Sequence, residues 1–287
     1  MAPNIKPKYP EAKHANFQDW NHATAARQGS SNQTTNCPAP PEAVMIQPLA
    51  EDYIPSFFYS NSWTASILSS PGFYPIRTWS RIEKPTEDGL FAKTLATGAT
   101  IPYCVTLRRQ DNILDAGSQA TTQPPSWLNT PSSSSSTTGP PSIDPPDIVM
   151  ILAVSDIGTC SYANTAHGGF LDTVLEEAMS LVVALHVSQS AFWPTSPRDT
   201  VQKLPRGNMH AAQLDTRYKG HVSVPGILVV RAKLVRKLGR KYWSRAQIIQ
   251  EDDYVNKGEH GVSKVKNKTT RVDSMAFWLG SKDNAQL

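Results

Sequence analysis

The stretch at residues 168–186, GGFLDTVLEEAMSLVVALH, constrains the fold more than any other part of the sequence. Leu171, Val174, Leu175, Ala178, Met179, Leu181, Val182 and Leu185 cover most of a helix surface, and the charged residues Asp172, Glu176 and Glu177 interrupt them. A helix that is apolar on nearly every side needs protein partners nearly all round. It therefore predicts a central helix rather than one lying on a surface.

The flanking runs supply the partners. Residues 101–109 and 147–154 (DIVMILAV) are rich in β-formers, and strand-like runs follow the helix at 209–218, 223–238, 240–249 and 271–279. Gly239 suits a tight hairpin between two of them. A hairpin, a long helix and then antiparallel strands predict an α+β domain, a sheet with one helix on one face. Between the first two strands lies SQATTQPPSWLNTPSSSSSTTGPPSIDPP, too poor in apolar residues to order itself. It reads either as an insertion at the tip of a hairpin, at about residues 112–146, or as a linker between domains. An insertion costs little, because closure entropy grows only logarithmically with loop length.

Residues 1–45 are polar and aperiodic, which predicts a disordered N-terminal region. Residues 46–89 read as a helical N-terminal extension, with Phe57, Phe58, Trp63 and Ile67 on a short helix before Pro71-Gly72 breaks the run. The domain proper then occupies 90–280. The net charge of +4 is too mild to demand a polyanionic partner. Cys37, Cys104 and Cys160 are scattered with no CxxC spacing, which argues against a disulfide framework. Near His167, Cys160 is expected to be a buried structural residue. The first residues lack the apolar core of a secretory signal, and no run reaches the 18 or so apolar residues of a membrane span. The final Ala285-Gln286-Leu287 lacks the basic middle residue of a strong peroxisomal address. The expectation is a cytoplasmic protein, with peroxisome and mitochondrion left open.

The chemistry concentrates at His167-Gly168-Gly169, immediately before the long helix. Glycines there let a ligand approach the backbone closely. The first N–H groups of the helix have no internal partners and sit at the positive end of its dipole. A thioester carbonyl placed there would have its developing oxyanion stabilised by about 3–4 kcal/mol per good donor. The glycines alone are better explained by tight helix–strand packing. The sequence holds no G-x-S-x-G, Walker A, G-x-G-x-x-G or H-E-x-x-H.

HGG at a helix start with an acidic residue nine positions on resembles the hotdog thioesterases of the phenylacetyl-CoA and 4-hydroxybenzoyl-CoA type. The later HAAQLDTRYKGHVSVPGILVVRAKLVRKLGRKYWSRAQI is similar to the strands after that helix in the same family. The resemblance implies a hotdog fold, a curved antiparallel sheet wrapped around one central helix. It implies an acyl thioester hydrolase, at least dimeric (a homodimer or tetramer), needing no cofactor beyond the CoA or phosphopantetheine of its substrate. Under it Gly168 supplies the oxyanion amide, His167 is the histidine of the motif, Gly169 belongs to the substrate-binding turn, and Glu176 is the catalytic acid. Glu176 stands where relatives often carry Asp, and Ala211 where they often carry Ser or Thr, seven residues before Tyr218.

Geometry bears on the assembly independently. Gly168 and Glu176 lie about 12 Å apart along one helix. If both act on one thioester, Glu176 comes from a second subunit and the site lies at a two-fold interface. Glu177 is about 100° round the helix from Glu176, so only one can face a given site, and Glu177 is read as a solvated or salt-bridged position. Asp172, one turn before Glu176, is read as a cap or as a charge that raises the glutamate's pKa. Basic residues run from Arg231 to Arg245, but within Val229 to Leu234 they alternate with Val230, Ala232 and Leu234 as on the solvent face of a half-buried strand, so no nucleic-acid partner is expected. A binding protein that keeps the fold without turnover is the alternative, motivated by Ala211. Fatty acyl, aromatic acyl and polyketide chains all stay open as the acyl group.

Overall fold

The computed structural model describes residues 54–84, 87–110, 141–191, 209–258 and 261–280. The N-terminal region expected to be disordered and most of the low-complexity insertion lie outside these residues. Two short helices come first, α1 (Ser56–Ser60) and α2 (Ser62–Leu68). Asn61 caps the second, its side chain accepting from the N–H groups of Trp63 and Thr64.

The strands follow as β1 (Phe73–Ile76), β2 (Tyr103–Arg109), β3 (Ile148–Val154), β4 (Cys160–Tyr162) and β5 (Thr165–Ala166). The long helix α3 (Gly168–Ala191) comes next, and then β6 (Met209–Tyr218), β7 (Gly226–Leu238), β8 (Lys241–Gly258) and β9 (Gly261–Gly280). Seven strands form one antiparallel sheet in the order β1-β2-β3-β7-β8-β9-β6, and β4 and β5 pair separately. β2 and β3 pair directly, so the polar stretch between them joins two neighbouring antiparallel strands.

The register explains the core. Opposite residues in an antiparallel pair share a face. Ile148, Met150 and Leu152 of β3, Leu228, Val230 and Ala232 of β7, Ala246 and Ile248 of β8, and Val272, Ala276 and Trp278 of β9 therefore lie on one face. All belong to the core cluster that Leu171, Val174, Leu175, Ala178, Met179 and Val182 of α3 complete. The sheet packs against this apolar helix through β3, β7, β8 and β9.

β3 is buried on both sides, as its unbroken apolar run suits. On the face away from α3, Val105 and Leu107 of β2 and Val149 and Ile151 of β3 are buried. Phe58 and Trp63 of the N-terminal helices are buried as well, and α2 contacts β1. The sheet is thus covered on both faces near β1–β3, where one helix on one face was expected. It also begins at Phe73, inside the segment read as a helical extension. β1 contains Pro75 and sits at a sheet edge, the place where a residue without an N–H is tolerated. β8 and β9 run well past the limits read from the sequence and pair with each other out to Gly258 and Gly261.

Candidate functional site

The start of α3 is fixed before its chemistry begins. The Ala166 N–H bonds the carbonyl of Val222, and the His167 N–H bonds that of Thr159 at 2.7 Å. His167 then caps the helix: its Nδ1 accepts from the Gly169 N–H at 3.0 Å, and its carbonyl accepts from Leu171. The histidine of the motif therefore holds the turn. None of the hydrogen bonds among the described residues engages the Gly168 N–H, the first donor of the helix, and Gly168 lines a cleft of about 390 Å³ together with Thr165, Tyr218, Lys219 and His221.

Tyr218, at the end of β6, closes over this turn. Its hydroxyl donates to Asp172 Oδ2 at 2.7 Å and lies 3.3 Å from the Gly168 carbonyl. A Cβ on residue 168 would meet that hydroxyl at 3.2 Å, so any larger residue there would have to push the tyrosine aside. Partial burial, then the hydrogen bond to Asp172 and its negative charge, push the Tyr218 phenol up to about 12. It stays protonated, a donor, across the neutral range. Asp172 is thus engaged by Tyr218 rather than set against Glu176, and its Oδ1 is buried without a partner.

Glu176 faces a second cavity, of about 290 Å³, that shares no residue with the first. Glu176, Ser180 and Val183 contribute from α3, Met209, His210 and Ala211 from β6, and Trp278 from β9. Ala211, the position without the hydroxyl, therefore lies in the cavity of the carboxylate. A bulge follows it: Ala211 pairs with Trp278 and Gln213 with Phe277, leaving Ala212 extra. Bulges bend a strand and re-aim its side chains, and they occur often beside functional sites. Ser180 brings a hydroxyl to the same wall while donating to the Glu177 carbonyl at 2.8 Å.

Glu177 is 2% exposed, which corrects its reading as a solvated or surface salt-bridged residue. The 100° turn from its neighbour points it inward, toward Cys104. Burial raises that thiol's pKa, the Arg81 cation opposes the rise, and the Glu177 charge adds to it. Arg81 itself donates to the carbonyls of Phe91, Leu95 and Ile101. Cys160, expected to be buried, is exposed on β4, because that short hairpin stands outside the main sheet.

His210, Ser180 and Trp278 belong to no motif, and only Ser180 carries a sequence signal, its helical i+4 spacing from Glu176. Among the described residues no three His, Cys, Asp or Glu side chains gather as a metal site. Among them, too, no helix is long and apolar enough to cross a membrane.

No protein-family model and no curated protein matches the sequence. Among solved structures the chain is similar to a hypothetical thioesterase protein from Streptococcus pneumoniae determined with coenzyme A. The identity is 15%, the match covers 47% of this chain and 77% of that one, and the TM-score is 0.31. A Streptococcus mutans protein bound to acetyl CoA matches at 11% identity, over 47% of this chain and 80% of that one, with TM-score 0.31. A phenylacetic acid degradation-related protein from Ralstonia eutropha matches at 14% identity, over 46% and 74%, with TM-score 0.29.

Proposed function

We propose that the chain is an acyl thioester hydrolase of hotdog architecture, acting on acyl-CoA or acyl-carrier thioesters as a homodimer. The observation that carries the reading is that two residues of one helix, Gly168 at its start and Glu176, line separate cavities, both bordered by β6. Tyr218, at one end of β6, lines the Gly168 cleft, and Met209 to Ala211, at its other end, line the Glu176 cavity. β6 is the last strand of the sheet. Two copies joined antiparallel along this edge, about a two-fold axis near Gln213 and Leu214, would set Tyr218 of each against the Met209 end of the other. Each Gly168 cleft would then adjoin the partner copy's carboxylate, a meeting the 12 Å helix separation denies within one chain.

In the proposed reaction Glu176 takes a proton from water as the water oxygen bonds to the thioester carbonyl carbon. The carbonyl oxygen becomes an oxyanion held by the Gly168 N–H at the positive end of α3. Collapse of the adduct breaks the C–S bond, and the sulfur leaves as a thiol with the proton returned from Glu176. His167 keeps the turn in place through Gly169 and does not touch the reacting atoms.

Thiol release across a panel of acyl-CoAs and carrier-bound acyl chains tests this. The wild type should turn over at least one, and Glu176→Gln should abolish turnover while substrate still binds. Ala211 favours a second reading, a non-hydrolytic binder, since a methyl group stands in the Glu176 cavity where a hydroxyl would hold water. Tight binding with no thiol release from any substrate would establish that reading in place of the first.

A further inference from the structure

The cavity beside Glu176 has a fixed wall. Trp278 is 3% exposed, its Nε1–H donates to Ser244 Oγ at 2.8 Å, and it packs into the core under α3. An indole held at its nitrogen and on its faces does not swing aside. On the helix side, Glu176, Ser180 and Val183 follow one another at i, i+4 and i+7, a single stripe. The cavity therefore extends from the carboxylate toward Val183, a distance of about 10 Å at 1.5 Å per residue. Its lining mixes the Glu176 carboxylate, the Ser180 hydroxyl and the His210 imidazole with the apolar Val183, Met209, Ala211 and Trp278. Its volume of about 290 Å³ lies just below the roughly 300–1,000 Å³ range of small-molecule pockets.

We infer that this cavity receives the acyl group and that Trp278 sets its size. The substrates are then compact acyl thioesters, with a short or branched aliphatic chain or a single ring, and long-chain fatty acyl groups are excluded. This rests on the thioesterase reading and goes beyond it by naming the acyl class and the residue that selects it. The apolar residues accept the acyl carbons, and the polar ones keep the thioester carbonyl within reach of Glu176.

The test pairs turnover with binding. kcat/KM is measured for acetyl-, butyryl-, isovaleryl-, benzoyl-, phenylacetyl-, octanoyl- and palmitoyl-CoA, and calorimetry measures binding of the matching non-hydrolysable thioether analogues. The wild type should prefer one of the compact groups over palmitoyl by more than about tenfold. Trp278→Ala should raise the long-to-compact ratio by roughly tenfold or more, the scale on which apolar pockets discriminate methylenes. Trp278→Phe preserves more of the packing and should move the ratio the same way by less, which keeps the test open if the alanine variant fails to fold. Equal wild-type turnover of butyryl- and palmitoyl-CoA, or an unchanged ratio in the folded Trp278 variants, overturns the inference and leaves the hydrolase reading standing. Absence of thiol release with analogues still binding in the expected size order overturns the hydrolase reading and supports the pocket. Absence of both overturns both.

Discussion

Tyr218 approaches Gly168 so closely that a Cβ at residue 168 would sit 3.2 Å from the phenol oxygen. The same oxygen donates to Asp172, one turn further along α3, at 2.7 Å. The end of β6 is thus pinned to the start of the helix through one hydroxyl. The proposed oxyanion amide and the strand that borders both cavities are mechanically one unit.

Gly168→Ala should therefore destabilise the protein by crowding that hydroxyl, and Tyr218→Phe should relieve part of the cost. Tyr218→Phe alone leaves Asp172 with neither oxygen paired. It should cost about 1 kcal/mol, low for a hydrogen bond to a charged group because the phenol is half exposed. In urea unfolding of the four proteins, the double variant should be more stable than the two single effects predict by about 0.5 kcal/mol or more, as for residues in direct contact. Strict additivity would show that the tyrosine does not constrain residue 168.

The raised phenol has a consequence at alkaline pH. The folded state holds the Tyr218 proton up to about 12, against 10.0 for the free group, so the folded chain binds more protons than the unfolded chain between these values. This contribution is complete below pH 10 and is lost as pH rises from 10 toward 12. Wild-type stability should fall more steeply across that window than the stability of Tyr218→Phe, as read by denaturant midpoints at pH 9, 10 and 11. Parallel curves would show that the phenol titrates alike in both states.

The parts of this architecture visible in the sequence are those in which packing imposes a period. α3 was legible because burial on nearly every side leaves almost no polar positions, and β7 because Arg231 and Lys233 alternate with Val230, Ala232 and Leu234. β1 was hidden by Pro75, which breaks the pattern of a strand and is tolerated only because β1 is an edge. The outer parts of β8 and β9 were hidden because QEDDYVNKG and GVSKVKNKTT alternate little. At the site, the helical turn between Glu176 and Glu177 was enough to separate them. It could not tell that Glu177 goes into the core, because Cys104, which feels its charge, comes from a distant part of the chain. The Glu176 cavity was invisible for the same reason, being assembled from α3, β6 and β9.

Asp147 is another such tertiary feature, a charged residue at the entry to an apolar strand. It is fully buried, accepts from Arg109 Nη2 at 3.0 Å and from the Leu234 N–H at 2.8 Å, and pairs with His186 Nε2 at 3.0 Å. One carboxylate thereby ties β2, β7 and the C-terminal half of α3 together. Removing one partner of a buried ionic cluster leaves the other charges uncompensated, at a cost of about 3–5 kcal/mol. Asp147→Ala should lower the unfolding free energy by that amount, whereas Asp215→Ala, which removes only an exposed hydrogen bond donated by Gln213, should stay within about 0.5 kcal/mol. A loss at Asp147 below about 1 kcal/mol would show that the cluster is dispensable to the fold.

The shared site admits a test that no single variant provides. Glu176→Gln should abolish hydrolysis by removing the base, and Gly168→Val should abolish it by driving Tyr218 and the helix start apart and displacing the amide. Each protein is inactive alone because every site lacks one of the two groups. Mixing them under exchange conditions forms heterodimers whose two sites differ: one combines both defects, and the other combines an intact Gly168 with the partner copy's intact Glu176. Activity should reappear at up to half the wild-type rate per heterodimer. The expectation follows from the 12 Å along the helix between the two groups and from the position of β6 at the sheet edge. If the two groups served the same site within one chain, every site in the mixture would keep one defect, and no mixture would regain activity. Exchange verified by mass spectrometry, with both variants folded and no activity recovered, would place the two groups in one subunit or outside the chemistry.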